Sequence, residues 1–190
     1  MDAFIKEDVL RIGSYQVNIC NRNSRATVDQ DRLKQGILLV LRDYGVKRAV
    51  IGLAIVTDDT IQKMNKQFLD HDYATDVLSF PLFDNENEEG ILEGEIAISY
   101  DTAHERAEEF GWGTENELLL YAVHGTLHLV GLSDQTEQER NVMRGAEKKI
   151  LTQMNIALPE KFSTVADENK NKPSSNIDNA SHYHIDTLDQ

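Results

Sequence analysis

The run His124-Gly125-Thr126-Leu127-His128-Leu129-Val130-Gly131-Leu132-Ser133-Asp134 holds two histidines four residues apart, a glycine three further on and a carboxylate three beyond that. Residues four apart on an α-helix lie one above the other on one face, so both imidazoles can reach a single ion at about 2.0–2.1 Å from each nitrogen. Glycine readily adopts the left-handed conformation that ends a helix, so Gly131 can turn the chain back and bring Asp134 to the same ion. Three protein ligands leave a fourth position for water, the layout of a catalytic zinc site rather than a structural one. Leu118, Leu119, Leu120, Ala122, Val123, Leu127, Leu129 and Val130 make this helix apolar almost all round, which places it in a domain interior. Two imidazoles there need a metal or hydrogen-bond partners to offset their lost hydration.

The pair also resembles the His-Glu-x-x-His signature of zinc peptidases, where the glutamate beside the first histidine is the general base. Here that position is Gly125, which cannot accept a proton. A peptidase reading keeps the metal geometry and loses its chemistry.

The same residues resemble the YbeY family of metal-dependent endoribonucleases, whose pattern His-Gly-x-Leu-His-Leu-x-Gly-Tyr-Asp-His is matched from His124 through Gly131. Thr75-Asp76-Val77-Leu78-Ser79-Phe80-Pro81 matches a second segment. Gly94-Glu95-Ile96 with Ile98-Ser99 resembles a third, in which aspartate is usual at the position of Glu95, and Asn65 with Phe68 fits the helix before the second. The resemblance runs from about the start of the first helix to near Leu158. Two departures matter. The family's third histidine falls at Asp134, with Leu132 and Ser133 replacing its Tyr-Asp, so the ligand set becomes His124, His128 and Asp134, one unit less positive and harder. Such a centre acidifies water less than a three-histidine one and makes room for a harder divalent ion such as manganese beside Zn2+. The second departure is Leu69, where the family has an arginine, the natural bidentate partner of phosphate.

The resemblance implies a zinc-dependent endoribonuclease that cleaves single-stranded RNA, acts in ribosomal RNA processing and ribosome maturation, and meets ribosomal RNA and the small ribosomal subunit. The motif contains no evident general base. Asp76, Glu95 and the free oxygen of Asp134 are candidates, and Ser79 is a candidate phosphate contact; a turn-stabilising role for Asp76 and a strand-edge hydrogen bond for Ser79 stand beside these. A second reading is a metal-bearing ribosome-assembly factor with little or no nuclease activity, favoured by Leu69, Asp134 and the acidic surface. The zinc peptidase is a third.

Composition narrows the classes further. The formal net charge is −14, which argues against a general nucleic-acid coat, because such binding is driven by lysine and arginine displacing counterions. DNA is not expected as a partner. Residues 161–190 hold three lysines against five acids, so −12 remains on residues 1–160, and any RNA contact must be local, through the metal and a few bases such as Arg42, Lys47, Arg48 and Lys63. Cys20, the single cysteine, cannot form an internal disulfide and suits a reducing cytoplasm; a small apolar strand residue is its expected role. No secretory signal and no run of eighteen apolar residues is visible, so neither export nor a membrane is expected.

The pattern along the chain supplies the frame. Residues 15–20 alternate as a strand; Thr27 with Gln30 forms a capping box for a helix with the stripe Leu33, Ile37, Leu41 and Tyr44; residues 49–56 form a buried strand; and Asp59 caps a short helix bearing Ile61, Met64 and Phe68. A strand at 77–80 closed by Pro81, an acidic turn at 84–90, a strand at 94–99 and a helix capped by Asp101 follow. His104 on that helix reads as a surface residue. Thr114 with Glu117 and Thr136 with Glu139 form capping boxes for the metal helix and the last helix, whose stripe is Val142, Met143, Ala146, Ile150 and Met154. This order predicts an α+β fold in which a mixed sheet of about four strands packs against helices, the metal helix central. The expected division is a domain over 1–160 and a disordered tail over 161–190, poor in aromatic residues.

Overall fold

Burial with a period of two decides which sheet face meets the core. In β2 (Arg48–Val56) Ala49, Ile51, Leu53 and Ile55 are buried, while Val50, Gly52 and Ala54 are half covered. The structure is a computed structural model that describes residues 14–23, 27–82 and 90–159. β1 (Ser14–Asn21) pairs parallel with β2, β2 pairs parallel with β4 (Ile91–Ser99), and β3 (Val77–Pro81) runs antiparallel to β4, giving a mixed sheet in the order β1-β2-β4-β3. Pro81 is the last residue of β3, at the sheet edge where its missing N–H costs least.

Among the described residues five helices accompany the sheet: α1 (Gln30–Asp43), α2 (Asp58–Leu69), α3 (Tyr100–Phe110), α4 (Thr114–Leu129) and α5 (Glu137–Gln153). The main core joins Leu33, Ile37 and Leu41 of α1, the odd-numbered residues of β2, Ile96 and Ile98 of β4, most of α4, and Met143, Ile150 and Leu151 of α5. A smaller cluster on the opposite face packs Ile61 of α2 against Val56, Leu78 and Ala97, with Leu69 beside it. The α+β frame and the central place of α4 agree with the sequence pattern. Tyr44, Phe68 and Val142, expected in helix stripes, are exposed, although the Phe68 ring still lies 5.2 Å from that of Phe80. Cys20 is also exposed, on the uncovered face of the edge strand β1 rather than in the core. Among the described residues no helix is long and apolar enough to cross a membrane. Most of the acidic turn and the tail from residue 160 lie outside the described residues.

The helix starts show where tertiary structure overrides local reading. The capping box Thr136–Glu139 is present with both of its bonds. Asp29, not Thr27, caps α1, its carboxylate accepting from the Arg32 N–H. Helix α2 starts after Thr57 and its Asp58 N–H is held by Asp101 Oδ2, 3.0 Å away. Asp58 Oδ1 in turn accepts from the Ser99 and Thr102 hydroxyls at the start of α3. Asp101 thus serves the neighbouring helix, and Asp59 stays in the first turn of its own. Gly113 precedes α4 with no side-chain cap, since Glu117 turns inward.

Gly125 lets α4 come close to the sheet. A Cβ there would lie 2.8 Å from Ile96 Cγ2 and 2.9 Å from Ser79 Oγ, both on sheet strands. Gly145, in the middle of α5, has open space at the same position. Alanine should therefore act in opposite directions at the two sites in urea unfolding. Gly145→Ala should stabilise by about 0.5–1 kcal/mol through helix propensity, whereas Gly125→Ala should destabilise by roughly 1–3 kcal/mol through overpacking. A stabilised Gly125→Ala variant would mean that α4 does not pack this tightly.

Candidate metal centre

Four ionisable residues at spacings of four, three and four, Glu117, Tyr121, His124 and His128, form one stripe along α4. The helix is otherwise buried in aliphatic contacts, so this stripe is where its chemistry is concentrated. At its lower end the helix closes in a Schellman turn: Leu132 N–H donates to Leu127 C=O, Gly131 N–H to His128 C=O, and Gly131 takes φ +99°. That turn performs two tasks. It aims the Leu132 carbonyl at His128 Nδ1, 2.9 Å away, and it returns Asp134 to the histidines.

The two Nε2 atoms lie 2.9 Å apart. Asp134 Oδ2 is 3.9 Å from His124 Nε2, and its Oδ1 is 4.0 Å from His128 Nε2. One donor atom from each residue falls within 4.8 Å of the others, a set that could hold a metal ion. Asp134 is not needed as a helix cap, because Thr136 fills that role, and Arg140 Nη1 holds the Asp134 carbonyl at 3.1 Å.

The outer contacts fit a metal. His124 Nδ1 meets Glu147 Oε1 at 2.6 Å, and His128 Nδ1 meets the Leu132 carbonyl. Both acceptors assign the ring hydrogen to Nδ1 and turn the Nε2 lone pairs toward each other and toward a carboxylate, an arrangement that requires a positive charge between them. Burial lowers the His124 pKa, but the bond to Glu147 and the charges of Glu147, Asp76 and Asp134 outweigh it, so His124 sits above its ordinary value. Burial and the neighbouring His124 hold His128 below it. An imidazole ligates through an unprotonated Nε2, so acid opposes metal binding at both histidines. Glu147 has no signature near the histidine motif, since it lies on α5 and comes to His124 only through packing.

Above the histidines, Trp112 Nε1 donates to Glu117 Oε2 at 2.6 Å, and Tyr121 bonds the same carboxyl. Burial pushes Glu117 up to about 7, against the pull of those two bonds, and Asp76 adds to the rise. Burial likewise raises Tyr121, with Asp76 and Glu117 adding to it. The spacing from His124 made Glu117 visible in the sequence, but its fit to a capping box hid it.

The remaining sequence candidates fall apart in space. Asp76 precedes β3 with Oδ1 accepting from Val77 N–H and Thr75 Oγ1 at 2.9 and 3.0 Å, a turn-stabilising contact, and its charge still acts on His124, Glu117 and Tyr121. Ser79 is buried and donates to the Gly125 carbonyl at 3.2 Å, so it holds α4 on the sheet rather than facing a phosphate. Glu95 corrects an expectation outright: Gly94 and Ile96 face α4, so the pleat points Glu95 to the other side, over Gly52 and away from the histidines. Leu69 packs in the small cluster of that second face. His104 stands exposed on α3, stacked on Tyr100. Arg42, Lys47 and Arg48 are exposed around the turn from α1 to β2, and Lys63 is exposed on α2.

Two outcomes follow. Glu147→Gln should weaken zinc binding about 10–100-fold while the fold persists, as losses of such outer partners do; chelator competition measures it. For Glu117, the folded protein keeps a proton to about 7 while the unfolded chain loses it near 4.5. Stability should then fall as pH rises through that window, by up to about 3 kcal/mol, and level off above it. Urea unfolding in chelator should show Glu117→Gln gaining on the wild type between those pH values, and a constant difference would refute the assignment.

The profile of the family described as Endoribonuclease YbeY matches residues 18–155. A protein of Elusimicrobium minutum called Endoribonuclease YbeY is 41% identical over 119 residues, 62% of this chain and 83% of its own length. A namesake from Rhodopirellula baltica is 43% identical over 129 residues, 67% of this chain and 65% of its own. One from Carboxydothermus hydrogenoformans is 36% identical over 141 residues, 73% and 96% of the two chains. The solution structure of a Thermotoga maritima protein shares the fold with a TM-score of 0.51 at 23% identity, covering 84% of this chain and 99% of that one. A half-buried histidine pair beside a carboxylate, on a fold and sequence matched across most of the described residues, marks this chain as a member of the YbeY family.

Proposed function

We propose that this protein is a zinc-dependent endoribonuclease that hydrolyses single-stranded RNA in the cytoplasm during ribosomal RNA processing, in contact with the small ribosomal subunit. The observation that carries the reading is the inward-facing donor set of His124, His128 and Asp134, held from outside by Glu147 and Leu132, in a chain of this family. Two imidazoles and one carboxylate suit zinc and also admit a harder divalent ion. The bound ion supplies Lewis-acid polarisation of a phosphoryl oxygen and acidification of a water.

The chain's own residues supply orientation and proton handling. Glu147 and the Leu132 carbonyl fix both imidazole rings so that their Nε2 atoms stay directed at one point. Asp76 is the base this reading favours over Glu95: its Oδ1 is anchored by the backbone and Thr75, which leaves Oδ2 to take a proton, and its charge is felt at His124. Glu95, on the far face of the sheet, has no part in it. Gly125 leaves no room for a peptidase glutamate, since even a Cβ would crowd the sheet.

The net charge of −14 and Leu69 favour the assembly-factor reading as a second possibility. Metal-stripped protein should be inert toward single-stranded RNA and casein, and zinc or manganese should restore cleavage of the RNA alone. His124→Ala should lose both metal and activity, while Asp76→Asn should keep the metal and slow cleavage by roughly 10²–10⁴-fold. Cleavage that survives in metal-free His124→Ala protein would sink the nuclease assignment. A metal-loaded protein that binds small subunits but never cuts RNA would establish the second reading.

A further inference from the structure

The described residues contain four half-buried arginines, Arg32, Arg106, Arg140 and Arg144. Three are engaged: Arg32 with Glu115 and Asn116, Arg106 with Glu109, and Arg140 with the Asp134 and Gln135 carbonyls. Arg144 makes no hydrogen bond or ion pair to any described residue. None of its guanidinium nitrogens is buried, so its five donors stay open to solvent and to an incoming acceptor.

Its place on α5 says where that acceptor would stand. Arg140, Arg144 and Glu147 are spaced four and three apart, so they share one helix face. Arg140 touches the backbone of Asp134, and Glu147 touches the ring of His124. Arg144 lies between these two contacts on the stripe that passes the candidate metal centre. The surrounding charge is negative, from Asp134, Glu147 and Asp76. A polyanion approaching this ground needs a cation not already neutralised, and on this face Arg144 alone is uncommitted.

We propose that Arg144 is a substrate-binding residue whose guanidinium grips a phosphodiester oxygen of the RNA strand at the metal centre. The inference rests on the nuclease reading, and it assigns the phosphate clamp to α5 rather than to α2, where Leu69 offers none. The planar fork gives two parallel donors to one phosphate, which lysine cannot reproduce.

The test uses the zinc-loaded full chain with Arg144→Gln and Arg144→Lys. Inorganic phosphate titrated into the wild type should shift the Arg144 side-chain Nε resonance, a readout independent of RNA and of turnover. Single-stranded RNA should bind the Gln variant about tenfold or more weakly, and its log–log salt slope should fall by about 0.7, the value for one phosphate contact on a single strand. Zinc affinity and melting temperature should stay at wild-type values, and the Lys variant should recover the salt slope but only part of the affinity. A wild-type Arg144 resonance that ignores phosphate, or unchanged RNA binding in Arg144→Gln, would overturn the proposal, as would loss of zinc in step with RNA, which would mean a structural role. A wild type whose Arg144 resonance responds to phosphate but which never cleaves RNA would instead defeat the nuclease reading and leave the phosphate clamp standing.

Discussion

A carboxyl, a phenol and two half-buried imidazoles lie along a helix that is otherwise buried among aliphatic side chains, and each of them has a partner. Trp112 reaches Glu117, Glu147 reaches His124, and the Leu132 carbonyl reaches His128. Those partners come from three places: the loop before α4, the distant helix α5, and the turn after α4. The rest of the architecture follows from keeping α4 in position for them. Gly125 lets it press on β3 and β4, Ser79 pins its backbone, and the core of α1 and α5 closes round it.

The same packing orients the candidate metal ligands. Because Glu147 and the Leu132 carbonyl take the outer ring nitrogens, the inner ones are left facing each other, and the rings need not reorganise to hold a cation between them. The acids around this point, Asp134, Glu147 and Asp76, attract a divalent ion and repel an RNA strand. The two demands can be met together only if positive charge is delivered locally. On the nuclease reading, the proposed Arg144 contact supplies that charge in a chain whose net charge is −14.

Much of this was legible in the sequence because it depended on local periodicity. The four-residue spacing of His124 and His128, the turn at Gly131 and the capping box at Thr136 concern residues close in the chain, where helix geometry fixes the outcome. The strand and helix order was readable for the same reason. Helix starts were less so: Thr27, Asp59, Asp101 and Thr114 all have cap-forming side chains, yet Asp29 capped the first helix and Asp58 and Asp101 served their neighbours.

What the sequence by itself determined is the α+β frame and the spacing that brings His124, His128 and Asp134 within reach of one another, since each follows from separation within a few residues or from hydrophobic period. Tertiary structure alone decided which side of β4 meets the metal helix, and so removed Glu95 from the site while keeping Asp76 beside it. It also decided that Glu147, on another helix, meets His124. The reason is physical: strand pleat and helix periodicity are written in the chain, but which face is covered and which helix crosses which are set by packing between residues far apart in sequence.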